Sequence, residues 1–227
     1  LYMKNRFNAL ILCGGKGTRL GKIGKKIPKT LIKVGDEPML NKIIKLVPKK
    51  ICENTIISGN YLFSKIKTFI NKNYNEDKID LFNDGNISIL NRIKKNLNRS
   101  KKNLIVFYGD EFANINFDKL IKNHIDSKKI ITLTTYRYNS NFGFLFKKNN
   151  KFEFKEKPYL GNYNIGFMIF NYENIYYLKN YNKIENYLMK MCSLNNVNEY
   201  IHNGYHVTFN SISELEKAKE NMKKFYA

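Results

Sequence analysis

The chain has 227 residues, 43% of them hydrophobic, enough to bury a substantial core without requiring a second domain. Its 40 Lys and Arg against 19 Asp and Glu give a formal charge of +21, but the lysines run along the whole chain among Asn and Ile, so the excess reads as compositional drift and no specific nucleic-acid partner is expected. No apolar run suits a membrane span, no signal-peptide pattern is present, and Cys13, Cys52 and Cys192 are too scattered for a disulfide framework; a reducing cytoplasm is the expected location.

Short apolar runs alternate with helical periodicity, the pattern of an α/β protein with a doubly wound, mostly parallel sheet. Buried strands are expected at Ala9–Cys13, Thr55–Ser58, Ile79–Phe82, Leu104–Tyr108 and Ile130–Thr135. Helices are expected between them near Met39–Val47, Tyr61–Asn71, Ile87–Leu97 and Phe117–Asp126. The pattern then shifts to closely spaced strands at Phe142–Phe146, Phe152–Lys155 and Ile165–Phe170, which suit a small strand-rich insertion on the substrate side. After Val207-Thr-Phe209, the spelling Ser211-Ile-Ser-Glu214 is a capping box that starts a helix with Leu215, Ala218 and Met222 facing inward.

The chemistry concentrates after the first strand, in Gly14-Gly-Lys-Gly-Thr-Arg-Leu20 and Pro28-Lys-Thr-Leu31. Glycines at 14, 15 and 17 let the main chain turn sharply and bring its N–H groups close to phosphate oxygens. Arg19 adds a planar charged fork and Lys29, after the stiffening Pro28, a movable point charge. The spacing is neither the dinucleotide fingerprint nor a P-loop. A second site is Tyr108-Gly-Asp110 at the carboxyl end of an apolar strand, where an open parallel sheet places its ligand crevice. Asp110 beside a phosphate cradle is a candidate Mg²⁺ ligand, because a hard cation that bridges phosphates takes carboxylate oxygen.

The stretch from Asn8 to about Leu40, with Val34-Gly-Asp-Glu-Pro38 after Pro28-Lys-Thr-Leu31, resembles the sugar-1-phosphate nucleotidyltransferases. Tyr108-Gly-Asp110, Glu156-Lys-Pro158 and Asn164-Ile-Gly166 extend the likeness over most of the chain. The resemblance implies one Rossmann-like domain over 1–227, with a nucleotide-binding half at about 8–137 and a sugar-binding half at about 138–227. It also implies nucleotide contacts at Leu12, Gly14, Gly15, Gly17, Thr18, Arg19, Lys29 and Gly85, and catalytic roles for Arg19, Lys29 and Asp110. Gly109, Glu156, Lys157, Asn164 and Gly166 would meet the acceptor, Lys157 at its phosphate and Glu156 and Asn164 at sugar hydroxyls. Mg²⁺ would sit on Asp110 and Asn210. The implied substrates are a nucleoside triphosphate, CTP or GTP, and a sugar 1-phosphate, in an enzyme of glycan assembly that could form a homo-oligomer. The details look closest to glucose-1-phosphate cytidylyltransferases, and heptose- and mannose-1-phosphate guanylyltransferases share the skeleton.

Two departures bear on activity. Where the family carries Gly-Gly before the helix that lines the base pocket, this chain reads Asn86-Ile-Ser-Ile-Leu90, so Ile87 and Ser88 are expected to fill space, with Gly85 as a partial substitute. Asn210 stands where the family places a second metal-binding Asp, and an amide oxygen brings no charge. A catalytically impaired sugar-nucleotide-binding homologue, with a regulatory or scaffold role, therefore stays open beside the enzyme. So does a cytidylyltransferase for a phosphorylated alcohol such as phosphocholine. His124, His202 and His206 are expected on helix or strand surfaces, and the many aromatics, such as those of Ile175-Tyr-Tyr-Leu178, in core packing.

Overall fold

A computed structural model describes residues 6–74 and 78–226. Its strands, in chain order, are β1 (Phe7–Cys13), β2 (Lys33–Val34), β3 (Glu37–Pro38), β4 (Cys52–Gly59), β5 (Ile79–Asn83), β6 (Asn103–Tyr108), β7 (Glu111–Ala113), β8 (Ile131–Asn139), β9 (Phe144–Lys148), β10 (Lys151–Lys155), β11 (Tyr159–Phe170), β12 (Val197–His202) and β13 (His206–Thr208). The helices are α1 (Gly21–Lys26), α2 (Met39–Leu46), α3 (Phe63–Asn73), α4 (Ile89–Ser100), α5 (Phe117–Ser127), α6 (Asn174–Tyr177), α7 (Ile184–Ser193) and α8 (Ile212–Tyr226). Seven strands form one sheet in the order β12-β8-β11-β6-β1-β4-β5, parallel throughout except for β11, which runs against both β8 and β6. The other six strands pair as the antiparallel ribbons β2–β3, β7–β13 and β9–β10.

The central strands read as unbroken apolar runs because both faces of the sheet are covered. Successive side chains point to opposite faces. Ala9, Ile11 and Cys13 of β1, with Ile105 and Phe107 of β6, enter the core roofed by α2, α3, α5 and α8. Leu10 and Leu12, with Leu104 and Val106, enter the opposite core under α4 and α7. Each of the five strands expected in the first part of the chain coincides with an observed one. Helix α4 starts at Ile89 rather than Ile87 because the Ser88 hydroxyl caps it, accepting the Asn91 N–H at 3.2 Å. At α8 the Ser211 hydroxyl accepts the Glu214 N–H at 3.2 Å, while the Glu214 carboxylate accepts the Asn210 N–H at 2.7 Å, one residue further back than a standard capping box. Leu215, Ala218 and Met222 face inward as expected. No helix among the described residues is long and apolar enough to cross a membrane.

Two expectations fail. The histidines are not on the surface: His124 is 3% exposed between Thr132 and Asn171, His202 is buried with Nε2 near the Tyr205 carbonyl, and the His206 ring is tucked against Glu111. Each found polar partners on other strands or loops, which makes burial affordable, and burial holds the His124 and His202 pKa values below the ordinary histidine range. Core packing, expected for most of the aromatics, does not hold for its own example, since Tyr176 and Tyr177 are exposed. Phe142, Phe152, Phe154 and Tyr176 are largely exposed, the second and third on the β9–β10 ribbon, every residue of which is exposed because no layer covers it.

A buried charge network ties the strand ends to α4. The Asp84 carboxylate, after β5, accepts from Ser58 Oγ at 2.6 Å, Arg99 at 2.6 and 3.1 Å and Asn96 at 3.3 Å, with Lys95 Nζ 3.1 Å away. Burial alone would raise its pKa, but the Arg99, Ser58, Lys95 and Asn96 contacts outweigh it and hold the group well below the usual carboxylate range. Ser58 Oγ in turn accepts from buried Arg92 at 3.2 Å, and Arg92 donates to the carbonyls of Gly59 at 2.8 Å and Gly85 at 2.5 Å. A depressed folded pKa means that Asp84 contributes its full stability above the unfolded carboxylate value of about 4, and that this is lost as pH falls toward the folded value. Asp84→Ala should cost about 2–3 kcal/mol in urea unfolding at neutral pH, since it removes a fully buried carboxylate and leaves the Ser58, Asn96 and Arg99 donors without their acceptor, and should flatten the acid limb of stability against pH. An unchanged urea midpoint would contradict this account.

Candidate active site

A cleft of about 520 Å³ opens at the carboxyl ends of β1 and β6. Its floor exists because Gly109 carries no side chain: its N–H donates to the Leu12 carbonyl at 3.0 Å, and a Cβ there would lie 2.5 Å from that oxygen and 2.6 Å from Thr30 Cγ2. Gly14 is under similar pressure from the other side, because a Cβ would lie 2.6 Å from Arg92 Nη2. The glycine loop therefore rests on a buried guanidinium, whose bonds to Gly59 and Gly85 fix the neighbouring strand end and loop as well.

Lys29 joins three distant segments. It opens a single 3-10 turn, Lys29–Leu31, and its Nζ is paired with the Asp110 carboxylate, donates to Asn210 Oδ1 at 2.9 Å and lies 5.3 Å from the centre of the Phe209 ring. Asp110 leaves β6, Asn210 precedes α8, and both oxygens reach one cation. Tyr108 lines the same cleft, and burial, reinforced by the Asp110 charge, pushes its pKa up to about 12, so its hydroxyl stays protonated. Burial likewise pushes the Cys13 thiol up to about 12, which leaves it an inert lining group.

Of the residues singled out from the sequence, Leu12, Gly14, Gly15, Lys29, Gly109, Asp110 and Asn210 meet on this cleft. Gly85 stands behind it through its bond to Arg92. Gly17, at φ 60°, leads into the 3-10 turn Thr18–Leu20, where Thr18 and Arg19 are exposed and outside the cleft lining. Gly166, at φ 77°, lies where a Cβ would come within 2.7 Å of Tyr108 Cγ, and Asn164 Oδ1 accepts the Gly166 N–H at 3.1 Å. Glu156 and Lys157 lie in the exposed connection from β10 to β11, and neither is among the cleft-lining residues. Ile87 and Ser88 do line the cleft, as expected from the missing Gly-Gly. Tyr108, part of the second site, lines it too, and Arg92 and Glu111 do so without having been expected: Arg92 is hidden in an ordinary amphipathic helix, and Glu111 directly follows Asp110.

The donor set fits a hard divalent cation in one respect. Asp110 and Asn210 offer two converging oxygens, one charged and one neutral, with room on the cleft side for other oxygens to complete a shell. Among the described residues no group of three or more His, Cys, Asp or Glu stands ready to hold a metal.

The family model described as Nucleotidyl transferase matches residues 8–217. The bifunctional protein GlmU of Methanococcus aeolicus is 35% identical over 156 residues, 66% of this chain and 36% of that protein. The D-glycero-alpha-D-manno-heptose 1-phosphate guanylyltransferase of Campylobacter jejuni is 34% identical over 119 residues, 49% of this chain and 51% of that protein. The matches thus span about a third of the first relative's length and half of the second's. The fold also superposes on the crystal structure of a putative glucose-1-phosphate thymidylyltransferase from Bacillus anthracis, with TM-score 0.75, 16% identity and 94% of each chain covered. Matched from the first strand to the last helix, the chain belongs to the nucleotidyl transferase family.

Proposed function

We propose that the protein transfers a nucleotidyl group from a nucleoside triphosphate to a sugar 1-phosphate, giving a nucleotide-activated sugar and pyrophosphate. The observation that carries this reading is the convergence of the glycine loop, Lys29, Asp110 and Asn210 on one cleft at the carboxyl ends of adjacent parallel strands. The named activity of the Campylobacter relative supports a sugar phosphate as acceptor and GTP as donor, with CTP the other candidate from the sequence.

A sugar 1-phosphate is largely a dianion near neutral pH, so its oxygen attacks the α-phosphorus without a general base, and pyrophosphate leaves in line. The protein's task is to hold two anions together. The N–H groups of Gly14 and Gly15 and the guanidinium of Arg19 would take the triphosphate, and Lys29 would turn from Asp110 and Asn210 toward phosphate oxygens. Mg²⁺, held by Asp110 and Asn210, would supply the remaining neutralisation of phosphate charge. Lys157 would pair with the acceptor phosphate, with Glu156, Asn164 and the backbone of Gly109 and Gly166 around the sugar. Because Glu156 and Lys157 stand outside the cleft lining, this role requires the β10–β11 connection to close over the acceptor. A binding-only homologue is the second reading, favoured by Asn210 at the metal position.

The deciding assay is pyrophosphate release with Mg²⁺, each ribonucleoside triphosphate and a panel of hexose and heptose 1-phosphates. Release should need both substrates and fall roughly 100-fold or more in Arg19→Ala and Asp110→Ala, with melting temperatures near wild type. Wild-type turnover by either variant would sink the assignment, and no release from any pair with nucleotide still bound would select the binding-only reading. Asn210→Asp should tighten Mn²⁺ binding, followed by electron paramagnetic resonance in the presence of nucleotide, and lower the Mg²⁺ needed for half-maximal turnover. Unaltered Mn²⁺ affinity would remove Asn210 from the metal site.

A further inference from the structure

One residue beyond Asp110 the cleft wall carries a second acid with a different set of partners. The Glu111 side chain lines the cleft but is only 16% exposed, with Oε2 2.6 Å from His206 Nε2. His206 Nδ1 in turn lies 3.2 Å from the Tyr163 hydroxyl. Two pieces of backbone hold this chain of contacts: the β7–β13 ribbon, which pairs Glu111 with Thr208 and Ala113 with His206, and the β8–β11 pair, which sets Tyr163 opposite Tyr136. The Tyr136 ring packs on both His206 and Tyr163, with centroids 5.6 and 6.0 Å away.

The location selects a ligand. β6 stands between β1, which carries the glycine loop, and β11, which carries Tyr163 and Asn164, so the Glu111 array lies on the side of Asp110 away from the phosphate cradle. A carboxylate there cannot attract phosphate; it repels it. What an ionised carboxylate offers is acceptor capacity, and its natural partners in a polar cleft are hydroxyl groups. His206 holds Oε2 and the Thr208 side chain adds a second contact, and since an ionised carboxylate has about four acceptor positions, capacity remains on the cleft side.

Resting on the nucleotidyl-transfer reading, we propose that Glu111, oriented by His206, is an acceptor-specificity residue: its carboxylate accepts hydrogen bonds from hydroxyl groups of the sugar 1-phosphate. The enzyme therefore takes the 1-phosphates of uncharged hexoses or heptoses and rejects acceptors whose sugar places a second carboxylate against Glu111.

The test compares wild type with Glu111→Gln and His206→Gln, using glucose 1-phosphate, mannose 1-phosphate, their singly deoxygenated analogues and glucuronic acid 1-phosphate. Glu111→Gln should raise the acceptor KM about tenfold or more while the donor KM moves less than twofold, and His206→Gln should shift the same parameter in the same direction. At least one deoxy analogue should lose about tenfold in kcat/KM with wild type and far less with Glu111→Gln, a coupling that a purely structural role would not produce. Glu111→Gln should also narrow the preference for glucose 1-phosphate over the glucuronic acid analogue. An unchanged acceptor KM, parallel rises in donor and acceptor KM, or equal losses with deoxy analogues in both proteins would overturn the proposal. If Glu111→Gln does not fold, the His206→Gln comparison decides in its place. If wild type releases no pyrophosphate with any pair, the nucleotidyl-transfer reading falls by itself. Calorimetric binding of glucose 1-phosphate then decides the role of Glu111: tenfold weaker binding to Glu111→Gln supports it, and equal or no binding overturns it.

Discussion

The adjacency of β1 and β6 is the constraint on which the site depends. β1 has β4 on one side and β6 on the other, so the chain leaves β1 in one direction across the sheet and returns on its opposite side. Segments leaving the carboxyl ends of two such strands must diverge, and a crevice opens between them. Because the strands are parallel and in register from Phe7 opposite Asn103 to Leu12 opposite Tyr108, the glycine loop and Asp110 emerge at the same level. The Gly109 N–H bonded to the Leu12 carbonyl is the last rung of this ladder, and the absence of a side chain on Gly109 lets the two backbones stay that close.

Behind the crevice, charge is arranged in two layers. The inner layer pairs Asp84 with Arg99 and Lys95 and links it through Ser58 to Arg92. Arg92 itself bonds only neutral acceptors in that set, the Ser58 hydroxyl and two carbonyls, so a cation lies beneath Gly14 with its nearest counter-ion one hydroxyl away. The positive potential this leaves under the loop adds to the loop's own N–H dipoles, and both act where the proposed triphosphate would lie. The outer layer pairs Lys29 with Asp110 and Asn210, its cation at the end of a four-carbon stem rather than on a fixed planar fork.

Much of this was legible in the sequence, for physical reasons that differ by element. Strands buried on both faces need continuous apolar residues, so Ala9–Cys13 and Leu104–Tyr108 announced themselves, and the Ser211–Glu214 cap did so because its partners are local. That the glycine loop and Asp110 meet on one cleft was legible because close backbone approach demands glycine and because Asp110 follows an apolar strand at its carboxyl end. The histidines were not, since one of the two partners that make a buried His124 tolerable, Asn171, is 47 residues away in sequence, and the other, Thr132, lies on the next strand. Arg92 was hidden for the same reason: a long cationic side chain on an amphipathic helix reads as solvated until Ser58, Gly59 and Gly85 are seen around it. The phenylalanines of β9 and β10 misled in the opposite sense, because strand propensity is satisfied by the ribbon itself and says nothing about whether another layer covers it.

Asn210 shifts the electrostatics of the outer layer in a definite direction. With a carboxylate at that position Lys29 would face two anions, and the trio would carry one net negative charge before any substrate arrived. With the amide, Lys29 and Asp110 cancel. A unit charge about 4 Å away at an effective dielectric of 20 is worth roughly 4 kcal/mol, and twice that for a divalent ion before solvation is counted, so the missing charge is a first-order term for cation affinity. On the proposed reading the balance would change when a triphosphate enters, because its charge would draw Lys29 from Asp110 and it would bring oxygens of its own. In the proposed reaction metal and nucleotide would thus enter together, with Asp110 and Asn210 as the protein's own ligands to the cation. On that reading such a site would bind its metal together with the substrate, and the Lys29 contact to Asp110 and Asn210 would be the arrangement that the substrate displaces.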